Sequence, residues 1–321
     1  MTHPSEPHPS ESQSSASRSS ASQPGARRAV AIALDIGGSH VTAAPVDPHL
    51  RAVTAAPARL DLPHDAPHDT LIGGWAEVAL IAFAGAGEAV TVTHLGLAVP
   101  GPFDAARGVS GMTHKFRALH GRDARAALSA RLRGTPLQDT PILFGNDADL
   151  FALGEWWAGA GEQLDTIGVT LGTGIGSGFI RAGQVQTGGP GVPPGGELWN
   201  TPFRDATVED AVSGAALTRL THRHLGVALD ARQLAALDAS QSGPVWTAFG
   251  QTLGEALSPW VEAFGAQRVV LGGNISRAFG QFGTALQSRL PPGAQVRQSR
   301  HFEQAALLGA AFLRGPDTTA P

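Results

Sequence analysis

A chain of 321 residues with 42% hydrophobic residues, 6% aromatics and 41 glycines has the apolar mass for about two domains with close backbone packing and many turns. Its formal net charge of −4, without any Lys/Arg-rich block, excludes the electrostatic footprint of a nucleic-acid or anionic-membrane partner. The lack of cysteine excludes disulfides, thiolate zinc sites and a thiol nucleophile.

Residues 1–26 are dominated by Ser, Pro, Gln, Glu and His and are expected to form a disordered tail. They lack the basic-then-apolar order of a secretion signal, and no apolar run reaches the roughly 20 residues of a membrane span, so a cytoplasmic protein is expected. Strands are expected at Ala29–Leu34 and Val41–Val46, a helix around Leu71–Ala84, and strands at Thr93–Val99 and Pro141–Phe144. The turn Pro100-Gly101-Pro102 ends the third of these strands. Asn146-Asp147 then caps a helix running through Trp157, at the carboxyl end of a strand, where α/β folds bind ligands. The second half repeats the plan: strands Thr166–Leu171 and Gly178–Arg181, helices Val208–His224, Gln233–Asp238 and Val245–Phe264, and strand Arg268–Leu271. A small-residue helix, Glu303–Arg314, closes the chain and is expected to pack back on the first half. The fold class is therefore α/β, with domains at 27–144 and 145–302.

Two glycine turns, Gly37-Gly38-Ser39 and Gly172-Thr173-Gly174-Ile175-Gly176, each join two strands rather than opening a helix, which separates them from P-loops and dinucleotide folds. Glycine permits positive φ and lets backbone N–H groups approach an anion, so both turns are candidate phosphate cradles. A third, Gly272-Gly273-Asn274, follows the strand at 268–271. Asp35 ends an apolar strand beside the first turn, either as a Mg²⁺ ligand or as a carboxylate bonding its own turn. Asp147 is the best candidate for a general base, expected to stay ionised at a helix start; plain capping is the bland alternative. Asn146 offers a donor and an acceptor to a polyol or caps the helix, and Glu197 accepts two hydroxyls or is a solvated loop acid. Lys115 is the only lysine among 23 basic residues, a chance survivor or a point charge where an arginine fork does not fit.

Leu-Asp-Ile-Gly-Gly-Ser at 34–39, Val-Pro-Gly-Pro at 99–102, Gly-Asn-Asp-Ala-Asp at 145–149 with Gly154-Glu155, and Leu-Gly-Thr-Gly-Ile-Gly at 171–176 come in a telling order. Gly196-Glu197, Glu209-Asp210 with Ser213-Gly214, Leu-Gly-Gly at 271–273 and Leu-Gly-Ala-Ala at 308–311 complete the series. From Ala29 to Arg314 the chain resembles the ROK group of sugar kinases and sugar-responsive repressors, which have the actin- and hexokinase-like ATPase fold. The resemblance implies a duplicated, two-domain, ribonuclease H-like architecture closing over a hexose and ATP with Mg²⁺. It implies Asp147 as the catalytic base, Gly101, Asn146, Glu197, Asn200 and Lys115 at the sugar, and a homodimer. Glucose, converted to glucose 6-phosphate, is the first candidate substrate.

Some positions depart from the family pattern. Gly-Glu-x-Gly-His followed by a cysteine-rich zinc knot is replaced by Gly196-Glu197-Leu198-Trp199-Asn200, so no structural zinc is expected and Asn200 stands in for the histidine. Trp199 is either core or a stacking platform for a sugar face. Asn-Asp-Ala-Asp at 146–149 resembles polyphosphate-using relatives, which leaves polyphosphate beside ATP as donor, and an amino sugar remains an alternative acceptor. About two dozen residues precede the first motif, too few for the helix-turn-helix of ROK repressors; a catalytically silent sugar sensor is the rival reading.

Overall fold

The computed structural model describes residues 27–314; the expected tail at 1–26 lies outside them. β1 (Arg28–Ile36) is an apolar run, buried along most of its length, as suits a central strand. A short turn returns it into antiparallel β2 (His40–Asp47), which also pairs with β3 (Ala52–Val53) and β4 (Ala58–Asp61). α1 (His68–Gly85) crosses over to β5 (Val90–Val99), parallel to β1. After the ribbon β6 (Phe103–Asp104)/β7 (Val109–Ser110) and α2 (Ala124–Arg131), β8 (Ile142–Asn146) joins parallel to β5.

The second half repeats this course. α3 (Asp147–Ala158) leads to β9 (Thr166–Leu171), which turns into antiparallel β10 (Ile175–Arg181) and then β11 (Gln184–Gln186). The ribbon β12 (Pro202–Phe203)/β13 (Ala206–Thr207) and helices α4 (Val208–Val212), α5 (Gly214–Leu225), α6 (Ala231–Ala235) and α7 (Ala239–Phe264) follow. β14 (Arg268–Gly272) lies parallel to β9, α8 (Phe279–Gln287) crosses to parallel β15 (Gln295–Gln298), and α9 (Ala305–Phe312) is last. The sheet orders β3-β2-β1-β5-β8 and β11-β10-β9-β14-β15 match strand for strand in direction, which is the duplication the paired glycine turns imply.

Three apolar cores stack in layers. α1 and α2 cover the outer face of the first sheet, and α4, α7 and α8 that of the second. Between the sheets lie α9, against β1 and β5, and α3, against β9 and β10. The two helices meet through glycine: a Cβ on Gly154 would fall 1.9 Å from the Ala305 carbonyl oxygen, and one on Gly309 1.9 Å from that of Leu150. The final helix therefore packs on the first half, as expected, and also on α3.

Other elements differ from expectation. The helix expected over 208–224 breaks at Ser213, whose extended backbone ends α4 while its hydroxyl caps α5 by accepting from the Ala216 N–H. α7 starts six residues before Val245 and runs through both Pro244 and Pro259. The last helix begins as a 3₁₀ turn at Phe302–Gln304. α2, α8 and β15, of eight, nine and four residues, have no counterpart among the expected elements. Among the described residues no helix is long and apolar enough to cross a membrane.

Candidate active site

A cleft of about 900 Å³, within the roughly 300–1,000 Å³ of ligand sites, opens at the carboxyl ends of β1, β8, β9 and β14. Asp35, Gly101, Lys115, Asn146, Asp147, Glu197, Gly172, Thr173, Gly174, Gly176, Gly273 and Asn274 all line it. Gly37, Gly38, Ser39, Gly272 and Asn200 are not among its lining residues. The first glycine turn is tied to the loop after β4, the His64 and Leu62 N–H groups donating to the Gly38 and Ser39 carbonyls. Gly272 sits under Phe151, where a Cβ would meet the ring at 2.4 Å. Asn200 is exposed, because a turn closed by the Thr201 N–H on the Leu198 carbonyl carries it to solvent and leaves Trp199 at the cleft.

Carboxylates dominate the floor. Asn146 ends β8 and caps α3, its Oδ1 accepting from the Ala148 and Asp149 N–H groups. Capping uses its acceptor, so only its amide donor is free for a ligand; that Nδ2 would lie 3.3 Å from a Cβ on Gly101. Asp147 Oδ1 accepts from the Ala148 N–H at 2.8 Å. Burial nevertheless pushes the Asp147 carboxyl up, against the pull of that N–H and of Lys115, so burial outweighs the helix start that was expected to favour its charge. Asp35 is pushed up to about 7 by burial and then by the charge of Asp147. Asp149, in the first turn of α3, is also pushed up to about 7 by burial and then by Asp147 and Glu197.

At the second glycine turn Gly174 and Gly176 serve close approach rather than positive φ, while a Cβ on Gly172 would meet nothing within 4 Å. A Cβ on Gly174 would lie 2.4 Å from Glu209 Oε2, and one on Gly176 2.5 Å from Thr170 Oγ1. Glu209 Oε2 accepts from the Ile175 N–H, and the Gly214 N–H at the α4/α5 break donates to the Gly172 carbonyl. Within the three glycine turns, both demands apply only at Gly273, with φ of +78° and a Cβ position 2.4 Å from the Leu171 carbonyl oxygen. At the opposite side Glu197 follows a 3₁₀ turn whose Gly195 and Gly196 have φ of +71° and +74°. Its Oε2 accepts from the Trp199 indole at 2.9 Å.

The cleft also takes in Glu209, His114, Phe302, Glu303 and Ala306, to which sequence reasoning gave no role. Glu209 had a signal in its place beside Ser213-Gly214; the others arrive through α9 and a loop, without a local pattern. Among the described residues no group of three or more His, Cys, Asp or Glu side chains is placed to hold a metal ion. Mg²⁺ needs fewer from the protein, since one or two carboxylates and substrate phosphates suffice. Asp35 fits that demand: a hard-oxygen donor on the cleft, with no hydrogen-bond donor reaching it among the described residues.

The ROK family model matches residues 31–315. A glucokinase of Thermotoga maritima is 28% identical over 257 residues, 68% of this chain and 78% of that protein. An N-acetyl-D-glucosamine kinase of Haemophilus influenzae is 28% identical over 259 residues, 71% and 81% of the two chains. A ROK glucokinase of Streptomyces griseus, solved with glucose and AMPPNP, superposes with a TM-score of 0.65 at 21% identity, covering 88% of this chain and 98% of that one. The fold is thus the two-lobed, actin-like ATPase fold with its cleft between duplicated sheets.

Proposed function

The chain belongs to the ROK family, and we propose that it is a sugar kinase that moves the γ-phosphoryl group of ATP to a hydroxyl of a gluco-configured hexose, with glucose the first candidate and glucose 6-phosphate the product. The observation that carries this reading is the meeting in one cleft of Asp147, Glu197 and Asn146 with the turn at 172–176. Kinase relatives acting, by their names, on glucose and N-acetyl-D-glucosamine support the acceptor class. The AMPPNP bound to a structural neighbour supports ATP as donor.

Phosphoryl transfer asks for positioning, charge stabilisation and a base at the attacking oxygen. Asp147 takes the hydroxyl proton as the oxygen attacks in line; burial raises its carboxyl and so makes it a stronger proton acceptor than a solvated carboxylate. Glu197 and the Asn146 amide orient the sugar, with Lys115 and Gly101 beside them. The backbone of Gly172, Thr173, Gly174 and Gly176 receives the phosphates, with Gly273 and Asn274 at the nucleoside end. Glu209 holds the turn by its bond to the Ile175 N–H. Asp35 would hold Mg²⁺, which neutralises charge on the phosphate oxygens when bound. Residues 27–144 and 145–302 act as the two lobes that close on the cleft.

The test is phosphorylation of a hexose panel by ATP, followed by ADP release. Glucose or N-acetylglucosamine should turn over with a sugar-dependent rate. Binding of a hexose without turnover from either ATP or polyphosphate would replace this reading by that of a silent sensor.

A further inference from the structure

β10 presents two faces. Gly176 and Gly178 face α3, where Cβ atoms on them would fall 2.9 Å and 2.8 Å from those of Ala148 and Ala152. Ile175 and Phe179 face the opposite way, into the apolar core that also holds Leu198. Ser177 stands between them, buried on that inward face, where the alternation of a strand calls for an apolar side chain. A hydroxyl there is costly unless its donor and its acceptor are both used. Both are. Ser177 Oγ donates to the Gly196 carbonyl at 2.6 Å and accepts from the Leu198 N–H at 2.9 Å.

These two backbone groups flank Glu197. The Glu197 N–H itself makes only a long contact, 3.4 Å, to the Pro194 carbonyl, and its side chain is tied only to Trp199, which is itself exposed. Gly195 and Gly196, both in the left-handed region, leave the approach to Glu197 without side chains that could brace it. Farther out, the Gly195 N–H donates to the Thr187 carbonyl and the Glu209 N–H to the Trp199 carbonyl, so the bonds that hold the two peptides next to Glu197 to the strand beneath are those of Ser177. We infer that Ser177 is a positioning residue for the sugar end of the cleft, its one hydroxyl clamping the chain on both sides of Glu197 so that the carboxylate meets sugar hydroxyls at a set place. This deepens the sugar-kinase reading and rests on it for the ligand, while the clamp itself stands on the hydrogen bonds.

The test uses the full chain with Ser177→Ala, Ser177→Cys and Ser177→Thr. Amide hydrogen exchange is followed by mass spectrometry over 195–201, and KM is measured for glucose, N-acetylglucosamine and ATP. Ser177→Ala should speed exchange at Leu198 and raise the sugar KM by about tenfold, the worth of two modest hydrogen bonds, with the ATP KM unchanged. Ser177→Thr, which keeps the hydroxyl and favours a strand, should restore both, and Ser177→Cys, a weak donor in a similar volume, should fall between. Unchanged exchange in the Ala and Cys variants overturns the clamp whatever the activity. Faster exchange with an unchanged sugar KM overturns the link to the sugar and leaves the kinase reading intact. Equal rises in sugar and ATP KM reduce Ser177 to a general structural role. A wild type that phosphorylates no hexose refutes the kinase reading and with it the sugar link, and the exchange result still decides the clamp.

Discussion

Asp149→Asn should stabilise the protein relative to wild type increasingly as pH rises. Asp149 is buried in the first turn of α3, and its Oδ1 has no hydrogen-bond partner among the described residues; a Cβ on Gly196 would lie 3.8 Å from that oxygen. Burial and the charges of Asp147 and Glu197 lift its carboxyl from 3.8 to about 7. A folded-state value above the unfolded one means that the native state keeps the proton longer, so this group's stabilising contribution is full below about pH 4 and is lost as pH rises through 7. About two of those pH units lie between pH 5 and 7, which at about 1.4 kcal/mol per unit gives a wild-type loss of about 2–3 kcal/mol across that window. Asn carries no titration, and Asp35, which shifts in the same direction, is common to both proteins and cancels. Urea unfolding of the two proteins at pH 5 and pH 8 reads the difference, with m-values confirming comparable transitions. Two stability curves that run parallel from pH 5 to 8 would refute the reasoning, since they would show that Asp149 ionises without penalty.

Glu197→Gln keeps the shape of the side chain, removes its charge and replaces one acceptor by a donor, so the sugar KM should rise roughly tenfold or more while the ATP KM holds, as steady-state kinetics with each substrate varied will read. Gly174→Ala puts a Cβ 2.4 Å from Glu209 Oε2, must displace the carboxylate that holds the Ile175 N–H, and should raise the ATP KM with little change in hexose binding by calorimetry.

The sheets were legible because each central strand is a short apolar run bounded by turn residues, and β1, β2, β5, β8 and β9 fall within a few residues of their expected ends. Local motifs carried the site in the same way: Asp35, Asp147 and the turn at 172–176 are set by the strand that ends beside them. What escaped depends on long-range packing. Glu303 and Ala306 reach the cleft only because α9 is wedged against α3 by Gly154 and Gly309, and no periodicity in 302–306 announces a cleft. The pull of burial on Asp147 was hidden for the same reason: a helix start is visible in sequence, whereas the low-dielectric surroundings that outweigh it come from residues far along the chain. Asn146 was assigned both a donor and an acceptor for the ligand, and only the folded cap at Ala148 and Asp149 reveals that the acceptor is already engaged.

The central claim is that Asp147 is the base of a phosphoryl transfer in this cleft. Turnover of glucose with ATP should be compared in wild type and Asp147→Asn, with glucose binding to each measured by calorimetry. The account predicts a kcat lower by about 10²–10⁴-fold with hexose binding kept within a few-fold. Near-normal turnover by Asp147→Asn would contradict it.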